Sequence, residues 1–550
     1  MKLSMCGGHA RLLMALGLFG LAGTGRLEAQ LVIESTSGTI TPNEINAFKS
    51  YIQSVNPRPN GWTPTHNEYS FGTTGRLVDA MGMMYEATGD IAILDRMIAY
   101  SDTILAARND LMPASLGGRR VMWTGVVEKV WPPEAPTHDR AQYAGSETAD
   151  VMERLAFTAL LILRNHAIWD RTVPDGNPNG FGATYRQRAL TYISRCDESS
   201  DQYFVRWFVT SANLLRWPTD AKWTAPMRGG DTPGAPVPWN QQAMFTGAFL
   251  RLAECHEILG DDPGRVSKYD AIVRASMNEF RSDLVPHTNS NGSTVYKWNY
   301  SLPSNSIENV GHAAYDMIGL HRAYSRRGAY GMTAASLRPF ADTLSTIIYK
   351  GNNRFAGSID GTGTLQDSML GEWLPVGDWN QSAYGLMANA DVASGRYKTS
   401  GHMTAAILWM KYRRANGGAR MALPPLAATA SGFTGTHAPA SSVDGDLGTR
   451  WARSGDGAWI RYDLGSARTV NLVKLAWYNG TSRTYRFDVQ LSTDGSAWTT
   501  VIANRTSSGT SNALQTYDFT DASARYVRVV GHGSSADGYI NVTEAQAWGK

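Results

Sequence analysis

The sequence predicts a multidomain protein: an N-terminal all-α (α/α) toroid of helical hairpins, followed by a C-terminal all-β sandwich. Three observations carry this expectation. At 550 residues the chain exceeds what one ordinary hydrophobic core serves. From about Leu77 to Arg414 apolar residues recur at helical spacing, in consecutive pairs of segments. Beyond residues 416–430 the spacing drops to two, in short runs broken by Gly, Asn, Asp and Ser.

The first element is a targeting segment. Lys2 and Arg11 flank the apolar run MALGLFGLAG, and Ala29 in RLEAQ is a small residue suited to cleavage. Residues 1–29 therefore read as a secretory signal peptide, which makes the protein secreted, extracellular or periplasmic. The run is too short to span a bilayer, and Cys6 precedes it, where it does not form a normal lipidation site. Cys196 and Cys255 remain in the mature chain, either as a disulfide or as two buried thiols on separate helices. No Cys/His spacing resembles a zinc site. A formal net charge of +3 without a dense Lys/Arg stripe argues against a nucleic-acid partner. The 18% charged content, 55 glycines and 17 tryptophans suit a carbohydrate-facing exported protein.

The helical region, 30–415, is justified hairpin by hairpin. Leu77, Ala80, Met81 and Met84 make one apolar face, and Ile91, Leu94, Ile98 and Leu105 make the next. Between them Gly89 suits the left-handed residue that ends a helix, and Asp90 suits the cap of the following one. The design returns at Phe245–Leu259, Gly260-Asp261 and Val266–Phe280, and again at Ala313–Tyr324 and Leu337–Ile347. Long Trp/Pro/Gly loops join the pairs. In a toroid such loops gather at one rim and line a cleft.

Residues 416–430 read as a Gly/Pro linker and 431–550 as the sandwich, with strands in WIRYDLG, VNLVKLAWY, YRFDVQLS and RYVRVVG. The motifs SSVDGDLGTRW (Ser441–Trp451), WIRYDLG (Trp459–Gly465), STDGSAW (Ser492–Trp498), ARYVRV (Ala524–Val529) and the late Glu544 resemble the coagulation-factor type C, or discoidin, domain. That family includes carbohydrate-binding modules. The resemblance implies a structural Ca²⁺ whose positions map to Asp444, Asp446, Thr449 and Glu544, hard oxygen ligands of the right kind; the alternative is turn residues and a rim carboxylate. It also implies sugar contacts from variable loops, for which Tyr478, Asn479, Arg483 and His532 are the candidates.

Candidate chemistry lies in the loops of the helical region. VYKWNYSLPSNSIENVGHAAYD (Val295–Asp316) concentrates Lys297, Tyr300 and His312 with the amides of Asn299 and Asn309. VPWNQQAMF places Trp239, Asn240, Gln241 and Gln242 before a helix expected to begin near Ala243. β-Elimination of a uronate polymer needs a neutraliser for the substrate carboxylate, a base for the C5 proton and an acid for the departing O4. Asn240 and Gln241 suit the first task, aided by the helix N-terminus; Tyr300 and His312 suit the others. The competing readings are an N-cap for Asn240, a satisfied histidine for His312 and a core tyrosine for Tyr300. PTHDRAQYAGSE adds His138, Arg140 and Tyr143 to the same rim, or is an ordinary helix start at Ser146-Glu147. A glycoside hydrolase would instead use a carboxylate pair among Asp231, Glu308, Glu372 and Asp378, and GEWLPVGDWN offers Trp373 and Trp379 as sugar-stacking rings. A third possibility is a glycan-binding toroid without catalysis.

Over about residues 60–415, the hairpin SFGTTGRLVDAMGMMYEATGDIAILDRMIAYSDTIL, VPWNQQ and WNY…ENVGHAAYD resemble the toroidal lyases of alginate and β-1,4-glucuronan, polysaccharide lyase family 38. The resemblance implies a lyase without a catalytic cofactor, with a Tyr as acid and possibly base, a nearby His and an amide or acidic neutraliser with an Arg. Those roles fall on Tyr300, His312 and Asn240 or Gln241. The chain departs from the pattern in having no His in the helix after Ala243 until His256, so the base is left open. The expected partner is an anionic polysaccharide, with no nucleic acid and no membrane.

Overall fold

The structure is a computed structural model that describes residues 29–549 apart from 59–64, 132–141, 166–167, 224–231, 290, 303, 327–329, 416–420, 424, 426, 445 and 513. Residues 1–28 of the targeting segment, His138, Arg140 and Asp231 thus lie outside the described residues. No helix among those described is long and apolar enough to cross a membrane.

The helical region runs α1 (Pro42–Ser54), α2 (His66–Ser70), α3 (Thr73–Thr88), α4 (Ile91–Ala106), α5 (Ser146–Leu163), α6 (Tyr185–Ser199), α7 (Val205–Phe208), α8 (Trp239–Leu259), α9 (Pro263–Asp283), a hairpin of β1 (Val285–Thr288) and β2 (Thr294–Lys297), α10 (Val310–Ser325), α11 (Ala334–Thr343), a 3-10 segment (Gly371–Asp378), α12 (Gln381–Ser394) and α13 (Gly401–Ala415). The anticipated stop and start are present: Gly89 sits at φ 67° and the Asp90 carboxylate accepts from the Ala92 N–H at 3.0 Å. At the next hairpin Gly260 ends α8 in the left-handed region, but Asp262, not Asp261, caps α9. Helix α8 starts four residues before Ala243. The Pro238 carbonyl accepts from Gln241 and Gln242 N–H at 3.0 and 2.8 Å, so the amides form the helix's first turn rather than a loop ahead of it.

α3 packs on α5, α5 on α8, α8 on α10, α10 and α13 on the 3-10 segment, and α13 on α3; α4, α6 and α9 back α3, α5 and α8. Every residue of α5 except Glu147 is buried, as a helix enclosed by neighbours requires. Two crossings leave no room for a side chain. A Cβ on Gly82 would fall 2.1 Å from the Phe157 ring, and one on Gly319 would fall 2.7 Å from Ala243 Cβ. Cys196 and Cys255 are free, buried thiols that each lie against α5 backbone carbonyls, the second of the two readings.

The C-terminal region is antiparallel β: β3 (Met421–Leu423), β4 (Ala427–Ala430), β5 (Trp451–Ser454), β6 (Ala458–Trp477), β7 (Tyr485–Ser492), β8 (Thr499–Thr506), β9 (Gln515–Ser534) and β10 (Tyr539–Gly549). The sheet order is β3-β10-β6-β9-β7-β8, with β4 on β6 and β5 on β10. Long β6 and β9 bend at register shifts after Asp463 and Val470, which lets one set of strands wrap around its own core, consistent with a discoidin sandwich. The expected linker is shorter than 416–430. β3 and β4 pair with β10 and β6 within that span, although their Ala-rich runs carry little strand preference of their own.

Candidate active site and sugar-facing loops

Three helix N-termini meet where the sequence concentrated its amides, Tyr and His. Ser146, first residue of α5, donates its hydroxyl to Gln241 Oε1 on α8 at 2.7 Å. The Trp239 N–H, also on α8, donates to the Tyr300 carbonyl at 3.2 Å. The Tyr300 ring lies 5.2 Å from the His312 ring on α10. The loop carrying Tyr300 is closed on itself by Tyr300 N–H to Ser306 O at 2.9 Å and Glu308 N–H to Trp298 O at 3.2 Å. The partial positive charges of three helix ends therefore face one patch, a setting that favours an anionic group.

Within this patch His312 Nδ1 meets two polar groups. Asn309 caps α10: its Oδ1 accepts from Gly311 and His312 N–H at 2.9 and 3.0 Å. That leaves its NH₂ facing His312 Nδ1 at 2.8 Å, and Glu308 Oε1 lies 3.3 Å from the same nitrogen. The side chain is 45% exposed. Behind it lie two buried carboxyls. Glu308 Oε1 accepts from the Asn309 N–H at 2.8 Å, and Asp316 Oδ2 accepts from Trp298 Nε1 at 2.9 Å. Burial and the charge of Glu308 push the Asp316 carboxyl well above its usual range.

The other predicted residues divide. Asn240 is only 6% exposed, and its Oδ1, an acceptor, is buried without a partner among the described residues. Gln242 is structural, held by Val237 O and Ser276 Oγ. Lys297 closes β2 across from Val285. Four aromatic candidates are core residues instead of sugar platforms. Trp373 is fully buried and donates to Val310 O at 2.8 Å; Trp379 packs on His321, Tyr324 and Phe340. Trp239 donates to Asp283, and Tyr143 donates to Lys222 O within a Trp123/Trp223 cluster. Two of the carboxylates considered for hydrolysis are engaged: Glu372 pairs with Arg76 at 3.0 Å, and Asp378 with Arg413 and with His321 at 2.8 Å.

Sequence reasoning missed the charged layer between the helices. Arg76 and Asp79 (α3), Asp150, Glu153 and Arg154 (α5), Arg251 (α8), Arg322 (α10), Glu372 (3-10) and His402 (α13) form one buried network. Arg154 binds Glu153 at 2.7 Å and Asp150 at 3.0 Å; Glu153 also holds Arg251 at 2.5 Å and Arg322 at 3.1 Å; His402 lies 3.3 Å from Asp79. Burial alone would raise the Asp79 carboxyl, yet Arg154, His402, Arg322 and Arg251 hold it well below the usual range. Burial, with Arg322 adding repulsion against the pull of Glu153, brings the Arg251 guanidinium down to about 10. The signal was present as single charges inside apolar helix runs, such as LVDAM, VMERL and FLRLA.

In the β region the loop Ser441–Arg450 wraps its oxygens around one hydroxyl. Thr449 Oγ1 lies 3.1 Å from Ser441 O, 2.9 and 2.7 Å from the two Asp444 carboxylate oxygens, and 3.0 Å from Asp446 O. Asp446 instead turns onto its own loop, accepting from Gly448 N–H. Glu544 on β10 is 8% exposed; burial, with a smaller push from the Glu544 charge, raises the phenol of Tyr462, whose hydroxyl meets Ser442 at the start of this loop. Residues 427–545 match the family model of the F5/8 type C domain. The C-terminal region is an F5/8 type C domain.

Among solved structures, truncated AlyQ with CBM32 and alginate lyase domains is 45% identical over 24% of this chain and 33% of its own, with a TM-score of 0.23. The CBM32 of AlyQ in complex with 4,5-unsaturated mannuronic acid is 46% identical over 23% of this chain and 97% of its own, with a TM-score of 0.23. A pectin-binding carbohydrate-binding module is 26% identical over 22% of this chain and 89% of its own, with a TM-score of 0.22. This chain spans a third of the length of the first of these. No curated protein matches.

The F5/8 type C domain places Tyr478 and Arg483 together. Arg450 lies 3.9 Å above the Tyr478 ring and bonds His437 at 2.9 Å, while Arg483 lies 5.8 Å from that ring and pairs with Asp537 at 3.0 Å. Arg450 and His437 were not anticipated. His532 is elsewhere engaged, between Asp456 at 2.6 Å and Asp488 at 3.2 Å; burial disfavours its charge, but these carboxylates raise it above its ordinary value.

Proposed function

We propose that the protein is a secreted polysaccharide lyase that cleaves β-1,4-linked uronate polymers by β-elimination, its F5/8 type C domain holding carbohydrate. The observation that carries this reading is the Tyr300–His312 pair set among the N-termini of α5, α8 and α10. The packing order α3, α5, α8, α10, 3-10 segment, α13 and back to α3 supports an (α/α) toroid with this patch on its rim. The substrate carboxylate lies against the helix ends and the amides of Asn240 and Gln241, which makes the C5 proton acidic. Tyr300, as phenolate, takes that proton; the C–H electron pair becomes the C4=C5 double bond; the C4–O4 bond breaks and Tyr300 returns the proton to O4. His312, beside the Tyr300 ring, stabilises the phenolate or the carboxylate.

The oxygens around Thr449 fit a Ca²⁺ ion: a hydroxyl has one hydrogen to offer four acceptors, and a hard cation resolves the excess. Ser441 O, Asp444, Asp446 O and Thr449 would hold it, and it would fix the loop that carries Arg450. Incubation with glucuronan, polymannuronate and polyguluronate, followed by ultraviolet absorbance, tests the reaction type. Elimination leaves a double bond conjugated with the carboxylate. New reducing ends without that absorbance would make the enzyme a hydrolase, and neither product would leave a binding protein.

A further inference from the structure

One face of the F5/8 type C domain carries a ladder of guanidinium groups and aromatic rings, separate from the Tyr478 loops. Arg528 lies 3.9 Å from the Trp498 ring and 5.8 Å from the Trp459 ring. Arg461 lies 6.0 Å from Trp459 and 5.1 Å from Tyr526, and Arg525 lies 4.9 Å from the other side of the series at Tyr526. The strand register puts them on one side: Ile460, Tyr462, Val527 and Val529 point into the core, and Trp459, Arg461, Tyr526 and Arg528 alternate with them, partly exposed.

Arg461 and Arg528 are direct cross-strand partners of β6 and β9. Like charges set opposite each other destabilise a sheet. Neither arginine forms a close ion pair among the described residues, although the Asp463 carboxylate, paired with Arg525, also feels the charge of Arg461. Arg528 bonds the neutral Gln490 at 2.9 and 2.5 Å, and Arg461 the neutral Thr429 at 3.2 Å. Arg525 differs, being paired with Asp463. The Trp498 ring lies against the Arg528 guanidinium, Arg461 stands 5.1 and 6.0 Å from its rings, and each guanidinium keeps N–H edges beyond those given to Gln490 and Thr429. Those edges match a carboxylate, and the partly exposed Trp rings match the C–H face of a pyranose.

We infer that this strip is a second carbohydrate-binding surface, lying along an acidic polysaccharide so that Arg461 and Arg528 take uronate carboxylates and Trp459 and Trp498 support the rings between them. The choice of a uronate chain over other polyanions rests on the proposed lyase function, while the anionic character rests on the unpaired arginines alone. The test uses the full chain with Arg461→Gln and Arg528→Gln together, and separately Trp498→Ala. Binding to glucuronan and polymannuronate is followed by affinity electrophoresis, and turnover on short oligouronates is measured in parallel. Affinity for long polymer is expected to fall about tenfold or more and to lose much of its salt dependence, with oligouronate turnover unchanged. Melting temperature is expected to hold or rise in the double variant, because a like-charge pair is removed; a purely structural ladder would lower it. Undiminished polymer binding in the double variant overturns the proposal, whatever the catalytic outcome. So does wild-type protein from which duplex DNA displaces the polymer at equal charge concentration.

Discussion

His312 Nδ1 has the Asn309 amide at 2.8 Å and the Glu308 carboxylate at 3.3 Å; the first partner makes Nε2 a donor, the second makes it a base, and the donor role gives the sharper prediction. A Gln side chain carries an N–H at similar reach, so His312→Gln is expected to keep most turnover, while His312→Ala loses about 10²-fold; equal losses in the two variants would return the histidine to the base role. Asp316 makes a pH prediction. Its folded carboxyl titrates well above the unfolded value of about 3.9. The folded state therefore binds more protons than the unfolded one above about pH 4, and stability falls as pH rises. Asp316→Asn keeps an oxygen for Trp298 and is expected to raise the melting temperature at about pH 8 and leave it unchanged near pH 4. A uniform effect across pH would show that Asp316 is ionised in the fold. Tyr300, His312 and Gln241 stood out in the sequence because their types fit one reaction and their loops were unusual, and the structure brings their segments together. Trp373 and Trp379 were not, because a tryptophan in a Gly/Pro-rich segment reads the same whether its ring faces sugar or core.

At the scale of elements, helix ends were legible where a cap chemistry existed, as at Gly89-Asp90, and misplaced where the first turn was polar, as in α8. The partner of each helix was not legible, since apolar spacing reveals a face but not what covers it. The buried network supplies that information after the fact: Glu153 of α5 is shared by Arg154 of its own helix, Arg251 of α8 and Arg322 of α10. Glu153→Gln keeps the volume and removes the anion, leaving buried guanidinium groups uncompensated. A loss of about 3–5 kcal/mol is expected, read from chemical denaturation. A loss under about 1 kcal/mol would mean that the network is solvated or rearranges freely.

For the whole molecule, the change of period near residue 416 located two regions of different architecture, while the strands β3 and β4 were hidden by Pro and Ala that read as linker. The calcium reading belongs at this scale, because the loop it would fix joins β5 to the rest of the sandwich. Chelation is expected to lower the melting transition of the F5/8 type C domain and added Ca²⁺ to restore it, with the helical transition and oligouronate turnover unmoved. Identical melting with and without chelator would make Thr449 and its oxygens an ordinary turn. The central claim is that Tyr300 moves the proton, and Tyr300→Phe tests it with one oxygen removed and the ring retained. With uronate polymer as substrate and ultraviolet absorbance of the C4=C5 bond as readout, the variant is expected to lose at least about 10²-fold in rate at unchanged melting temperature; unsaturated product formed at a near wild-type rate would contradict the account.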